Sequence, residues 1–136
     1  MKYKDYDFSG WATRSGIKCS DGRTILPDAF KDCDGLSVPI VWNHQHESAE
    51  NVLGHAILEN RPEGVYTYGY FNNTDMGNVA KEQVMHGDIT NLSIYANKLK
   101  QSSDGCVSHG IIREVSLVLA GANPGAVIDY VLAHSE

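Results

Sequence analysis

No apolar run in this chain approaches the roughly 20 residues that a helix needs to cross a bilayer. The opening stretch MKYKDYDFSGW also has no apolar core of the kind a secretory signal carries. Cysteine is scarce: Cys19, Cys33 and Cys106 are an odd number with no C-x-x-C pair, which argues against both a disulfide framework and a cysteine zinc site. They are expected to be free thiols in a reducing cytoplasm, and nothing in their surroundings singles out Cys33 or Cys106 as a nucleophile. Positive charge is in deficit, with 11 Lys and Arg against 17 Asp and Glu and a formal charge of -6. A nucleic-acid face needs the opposite balance, so nucleic acid and membrane are both set aside as partners. The 13 glycines are scattered at turns and form no phosphate-binding loop, and no G-x-S-x-G elbow of the α/β-hydrolases is present. Repeats, low-complexity tracts and proline-rich linkers are absent as well. What remains is an ordinary globular composition, 42% hydrophobic and 21% charged, in 136 residues. That length suits one domain, 1–136, with a single core.

Strand signals dominate what is present. DFSGWAT reads as a first strand, and Asp21-Gly22 as a turn before the short apolar run Thr24 to Leu26. PDAFKDC suits one helical turn, because Pro27 fits a first-turn position. SVPIVWNH is strand-like. NVLGHAILEN and GVYTYGYFN form a hairpin across RPEG. In the second of these, large residues alternate on both sides, so the strand is either covered on both faces or exposes an aromatic face. NTDMGNVAKEQVMHGD is the clearest helix: Thr74 or Asp75 caps it, Met76, Val79, Ala80 and Val84 follow helical spacing, and Gly87 ends it. NLSIYANKLKQ, the turn SSDG and CVSHGIIREVSLVLAGA supply two more strands. NPGAVIDYVLAH closes the chain as a turn followed by a strand or short helix. Many strands with few helices imply an α+β, mainly antiparallel domain, such as a small β-barrel.

Three residue types with hydrolytic chemistry fall in these strands. Period two puts Leu92, Ile94 and Ala96 on one face and Ser93, Tyr95 and Asn97 on the other. It likewise separates Glu114, Ser116 and Val118 from Val115, Leu117 and Leu119. An acid in so apolar a strand is costly to bury unless it is paired. His44 lies at the end of VPIVWN. A serine hydroxyl becomes a nucleophile when an imidazole takes its proton and a carboxylate holds the ring. His44, Ser93 and Glu114 supply those groups, although most small domains contain such residues. Plainer roles fit the same positions: Ser93 as a polar strand residue, Glu114 paired with Arg113 or Arg61 on a solvated face, His44 and His46 as loop histidines.

A metal site is the other chemistry open to this chain. His44 and His46 have the H-x-H spacing that lets alternate residues chelate zinc from one face, with His55, Glu47 or Glu50 as a third ligand. A second pairing, His86 with His109, is weaker, and His109 and His134 read as surface residues.

FSGWAT, ILPDAF, VPIVWNH, LGHAILEN with GVYTYGYF, VMHGDI, LSIYA and REVSLVLAGANPG, in that order, resemble the caudovirus prohead serine proteases, the tailed-phage maturation enzymes related to the herpesvirus assemblins. The resemblance runs from Phe8 to Ile128. It implies a herpesvirus-protease-like fold: a small closed or partly closed β-barrel with flanking helices. It implies Ser93 as nucleophile, His44 as base and Glu114 as the orienting acid, with no cofactor. The implied substrates are the major capsid protein and scaffold segments, and the protease itself, inside the assembling procapsid in a bacterial host's cytoplasm. The oxyanion donors would lie between Gly121 and Gly125, and extended substrate would add to a sheet edge. A homodimer and a scaffold-like tail beyond VLAHSE are also in keeping with relatives. Two departures stand out: Gln45 follows His44 where relatives often carry an acid, and Tyr95 follows Leu92-Ser93-Ile94 where they often carry glycine. Two other functions compete: an inactive capsid-assembly module of the same fold, and a zinc hydrolase built on His44 and His46.

Overall fold

Alternating β-branched and aromatic residues make strands here, and the strands form one curled sheet. The structure, a computed structural model, describes residues 3–132. The strands are β1 Phe8–Arg14, β2 Thr24–Ile25, β3 Ser37–Trp42, β4 Val52–Arg61, β5 Gly64–Phe71, β6 Asn91–Gln101, β7 Cys106–Val118 and β8 Ile128–Val131, with one α-helix, α1 Asp75–Met85, between β5 and β6. The sheet runs β2-β7-β3-β4-β5-β1-β8, and β6 pairs with the other edge of β7. Most pairs are antiparallel, but β2 and β3 both run parallel to β7.

The sheet bends far enough for its ends to approach. Asn91 at the start of β6 bridges Val127, and Val127 O in turn accepts from Trp11 N–H of β1. Leu92 N–H to Ala126 O and Ile128 N–H to Thr90 O complete that seam. Beyond Leu92 no further strand is paired to that edge of β6 among the described residues. The result is a partly closed barrel.

Phe8, Ile40, Leu58, Leu92, Ile112 and Leu117 are fully buried inside it. Each such side chain contributes about 1.5–3 kcal/mol of burial free energy. Phe8 packs where Gly69 of β5 has no side chain: a Cβ there would lie 2.2 Å from the Phe8 ring. β5 is covered on both faces. On its outer side Tyr66 is overlaid by Trp11, whose ring meets it edge-on at 5.0 Å, and by the Arg61 guanidinium 3.9 Å from its ring, while the Tyr6 ring packs on Tyr68 at 5.0 Å.

The helix begins where Thr74 Oγ1 accepts from Gly77 N–H at 3.1 Å, and Gly87 with φ +77° follows its end. Among the described residues the flanking helices reduce to this one plus two 3₁₀ turns, Lys31–Cys33 and Ala49–Asn51. No helix among the described residues is long and apolar enough to cross a membrane. His134 and the end of VLAH lie outside the described residues.

Candidate active site

Three neighbouring strands, β3, β7 and β6, carry the polar cluster. Antiparallel pairing sets Ser93 opposite Ser116 and Tyr95 opposite Glu114, so all four lie on one face of the β6–β7 pair. On the far edge of β7, β3 runs alongside with Val41 at Ser116 and Trp42 at Leu117. The chain then turns back over that face. Asn43 and His44 both take left-handed backbone, φ +50° and +55°, and Gln45 N–H donates to Trp42 O at 3.0 Å. Positive φ at both central residues is the signature of a type I′ turn, and Asn and His enter that region more readily than most residues. Asn43 N–H to Leu117 O and His44 N–H to Ser116 Oγ, each 2.9 Å, tie the turn to β7.

That turn lays the His44 ring between two partners. Nε2 is 2.9 Å from Ser93 Oγ, and Nδ1 is 2.9 Å from Glu114 Oε2. Glu114 is buried, with 3% of its surface exposed. It is nonetheless well satisfied: His46 Nε2 stands 2.7 Å from the same Oε2, and the Ser116 hydroxyl lies 3.0 Å from Oε1. Burial pushes the Glu114 pKa up. The hydrogen bonds from His44 and His46, the His44 charge and the Ser116 hydroxyl outweigh that and hold the carboxyl below its ordinary value. The carboxylate is thus kept ionised beside the imidazole.

Such an arrangement can move a proton from Ser93 to His44 Nε2 while Glu114 stabilises the charged ring. The structure brings His44, Ser93 and Glu114 together, and among the described residues no ion pair joins Arg113 or Arg61 to the acid. Arg61 is engaged instead with Glu59 at 2.6 Å and with Tyr68. Two contributors were missed in the sequence: Ser116, and the contact of His46 with Glu114. The Glu-x-Ser spacing at 114 and 116 was the available signal, because period two puts both on one face.

Ser93 borders a cleft of about 90 Å³ that opens where the barrel seam parts, between β6 and β1. Ile94, Ala96 and Leu99 give it an apolar wall, and Arg23 and Asn123 a polar one. Of the loop from Gly121 to Gly125, Ala122 and Asn123 border this cleft. Gly125 N–H is already bound to Asn123 Oδ1 at 2.9 Å, so it is not available as a donor in this arrangement.

The metal-ligand set differs from the sequence expectation. His44, His46 and Glu114 offer ligand atoms within 4.8 Å of one another. The expected third ligands lie elsewhere: His55 stacks on Tyr70 at 5.0 Å, the Glu47 carboxylate takes Asn51 Nδ2, and Glu50 lies in the Ser48-capped 3₁₀ turn. His86 pairs with Glu82, and His109 is half-buried against Asp32. All three cysteines are free. Burial raises the Cys33 thiol pKa, and desolvation together with Asp104 raises that of Cys106, so neither is activated.

No protein-family model matches this chain, and no curated protein matches it. Solved structures do match. The chain aligns with the protease of Kaposi's sarcoma herpesvirus bound to a hexapeptide phosphonate inhibitor, with TM-score 0.68 and 17% identity over 92% of this chain. It also aligns with the same virus's protease bound to an allosteric inhibitor, with TM-score 0.57 and 15% identity over 92% of the chain. A third structure of that protease gives TM-score 0.55 at 16% identity over 90%. The chain spans 64%, 76% and 58% of those proteins respectively. The fold is therefore that of a herpesvirus protease, including the partly closed barrel.

Proposed function

We propose that this protein is a serine endopeptidase of the prohead-protease type, which cuts capsid and scaffold proteins, and itself, during procapsid maturation. The observation that carries the reading is the continuous contact from Ser93 Oγ through His44 to the buried Glu114 carboxylate, 2.9 Å at each step. His44 Nε2 takes the Ser93 proton as the hydroxyl oxygen attacks a peptide carbonyl. The charged imidazole is stabilised by Glu114, then returns the proton to the leaving amine. Water repeats the sequence on the acyl-enzyme. Backbone N–H groups of the Gly121–Asn123 stretch are the candidate donors to the oxyanion, since Gly121 lies against the Leu92 main chain next to Ser93.

Substrate fits as an extended strand along the open edge of β6, where the seam leaves backbone groups beyond Leu92 without a strand partner among the described residues. Capsid and scaffold proteins as substrates rest on the sequence resemblance. The phosphonate bound to the herpesvirus protease suggests the probe.

The test has two parts. A peptide phosphonate should label wild type at one serine and leave Ser93→Ala unlabelled. Co-expression with the neighbouring capsid gene should yield a truncated capsid protein with wild type only, seen by intact mass. Labelling of Ser93→Ala would remove the nucleophile assignment. Absence of both labelling and truncation would favour the inactive assembly module.

A further inference from the structure

We propose that His44 Nδ1, His46 Nε2 and Glu114 form a binding site for a divalent cation of the zinc type, and that occupancy switches the serine chemistry off. Two imidazole nitrogens converge on one carboxylate oxygen, at 2.9 Å and 2.7 Å. The three ligand atoms lie within 4.8 Å of one another. Zinc takes histidine nitrogen and carboxylate oxygen at about 2.0–2.2 Å, which spaces ligands on one ion about 3.3 Å apart. Side-chain shifts of under an ångström per ligand close that difference, and water can fill the fourth position.

The site has the surroundings such an ion needs. The Ser116 hydroxyl binds Glu114 Oε1 at 3.0 Å and fixes the carboxylate from behind. The ion has a way in: His44 and His46 are 36% and 47% exposed, and an open depression of about 250 Å³ is bordered by His46, Tyr95 and Glu114, with Arg113 on its wall. The tied turn at Asn43 and His44 presents both rings toward β7.

Inhibition follows from the tautomer. A neutral imidazole has one ring proton and coordinates through its bare nitrogen. With the ion on Nδ1, the His44 proton must sit on Nε2. That nitrogen then donates to Ser93 Oγ and has no lone pair to receive the serine proton. No proton is gained or lost by neutral His44; it moves from one ring nitrogen to the other. The cation thus blocks the base without touching the nucleophile. The binding claim stands independently, while its inhibitory consequence rests on the serine-protease reading.

Zinc titration of the full chain against a chromophoric chelator tests the site directly. Wild type and Ser93→Ala should each bind one zinc. His46→Ala, with folding checked by thermal melting, should bind about tenfold or more weakly. His46→Gln should behave the same way and guards against a misfolded alanine variant. Peptide-phosphonate labelling then reads the consequence. Zinc should slow wild-type labelling in step with occupancy, EDTA should restore it, and each His46 variant should be insensitive relative to its own metal-free rate. The proposal is overturned if wild type binds no zinc, if the His46 variants bind it equally, or if EDTA abolishes labelling. If the metal-free chain is never labelled, the protease reading fails, and the chelator titration still decides whether the site exists.

Discussion

Ser116 and Glu114 stand two residues apart on one face of β7, and the Ser116 hydroxyl reaches both carboxylate oxygens, at 3.0 Å and 3.1 Å. The same hydroxyl oxygen accepts the His44 backbone N–H at 2.9 Å. One fully buried side chain therefore holds both the acid and the turn that carries the histidine. Ser116→Ala leaves a buried acceptor and a backbone donor short of a partner. It should destabilise the fold by about 1–3 kcal/mol and slow phosphonate labelling. Denaturant unfolding and labelling rates check the two effects, and unchanged values of both would remove Ser116 from the site's support.

The Glu114 carboxyl is held below its ordinary pKa in the folded chain. A depressed folded pKa adds stability that is fully present above the unfolded value, taken as 4.5 for this glutamate, and is lost as pH falls through the folded value. Glu114→Gln cannot titrate. The melting-temperature gap between wild type and Glu114→Gln should shrink as the pH drops below about 4.5. A gap that stays constant through acid pH would mean the carboxylate is no better paired folded than unfolded.

Left-handed backbone at Asn43 is tolerable for asparagine and free for glycine, but strained for a β-branched residue. Asn43→Val should cost about 1–3 kcal/mol and displace His44, lowering the labelling rate as well as stability. Asn43→Gly should stay near wild type in both. Equal behaviour of the two variants would show that the turn does not constrain His44.

Ser93 and His44 act in one proton transfer in the proposed mechanism, so their substitutions should not add. Ser93→Ala should reduce peptide cleavage by about 10⁴-fold or more, and Ser93→Ala combined with His44→Ala should cost little beyond that. Multiplicative losses measured on a peptide substrate would argue that the two side chains act independently.

Local elements were legible in the sequence because their causes are local. Thr74 and Gly87 bracket α1, and period two put Ser93 and Tyr95 together on one side of β6. The resemblance to prohead proteases supplied the triad assignment, and the same residues lie within hydrogen-bond reach of one another. Ser116 escaped notice because a serine in an apolar strand looks the same whether it is incidental or bound. The parallel pairing of β3 with β7 was equally hidden, since strand direction depends on how the intervening β4, β5, α1 and β6 route the chain.

By itself, then, the sequence determined where most strands and the helix form, how side chains alternate along each unbroken stretch of strand, and that no basic surface or bilayer-spanning run is present. Those follow from backbone preference and side-chain period. The bulges after Tyr95 and Asn97 and the exposure of Leu119 were not legible in it. Tertiary structure decided register and proximity: that Ser93 lies opposite Ser116, that His44 turns back over β7, and that His46 and His44 share one oxygen of Glu114. The physical reason is that a period of two is satisfied by every even shift of register. Only the packing of the whole curled sheet selects the one that brings residues 44, 93 and 114 within 2.9 Å contacts.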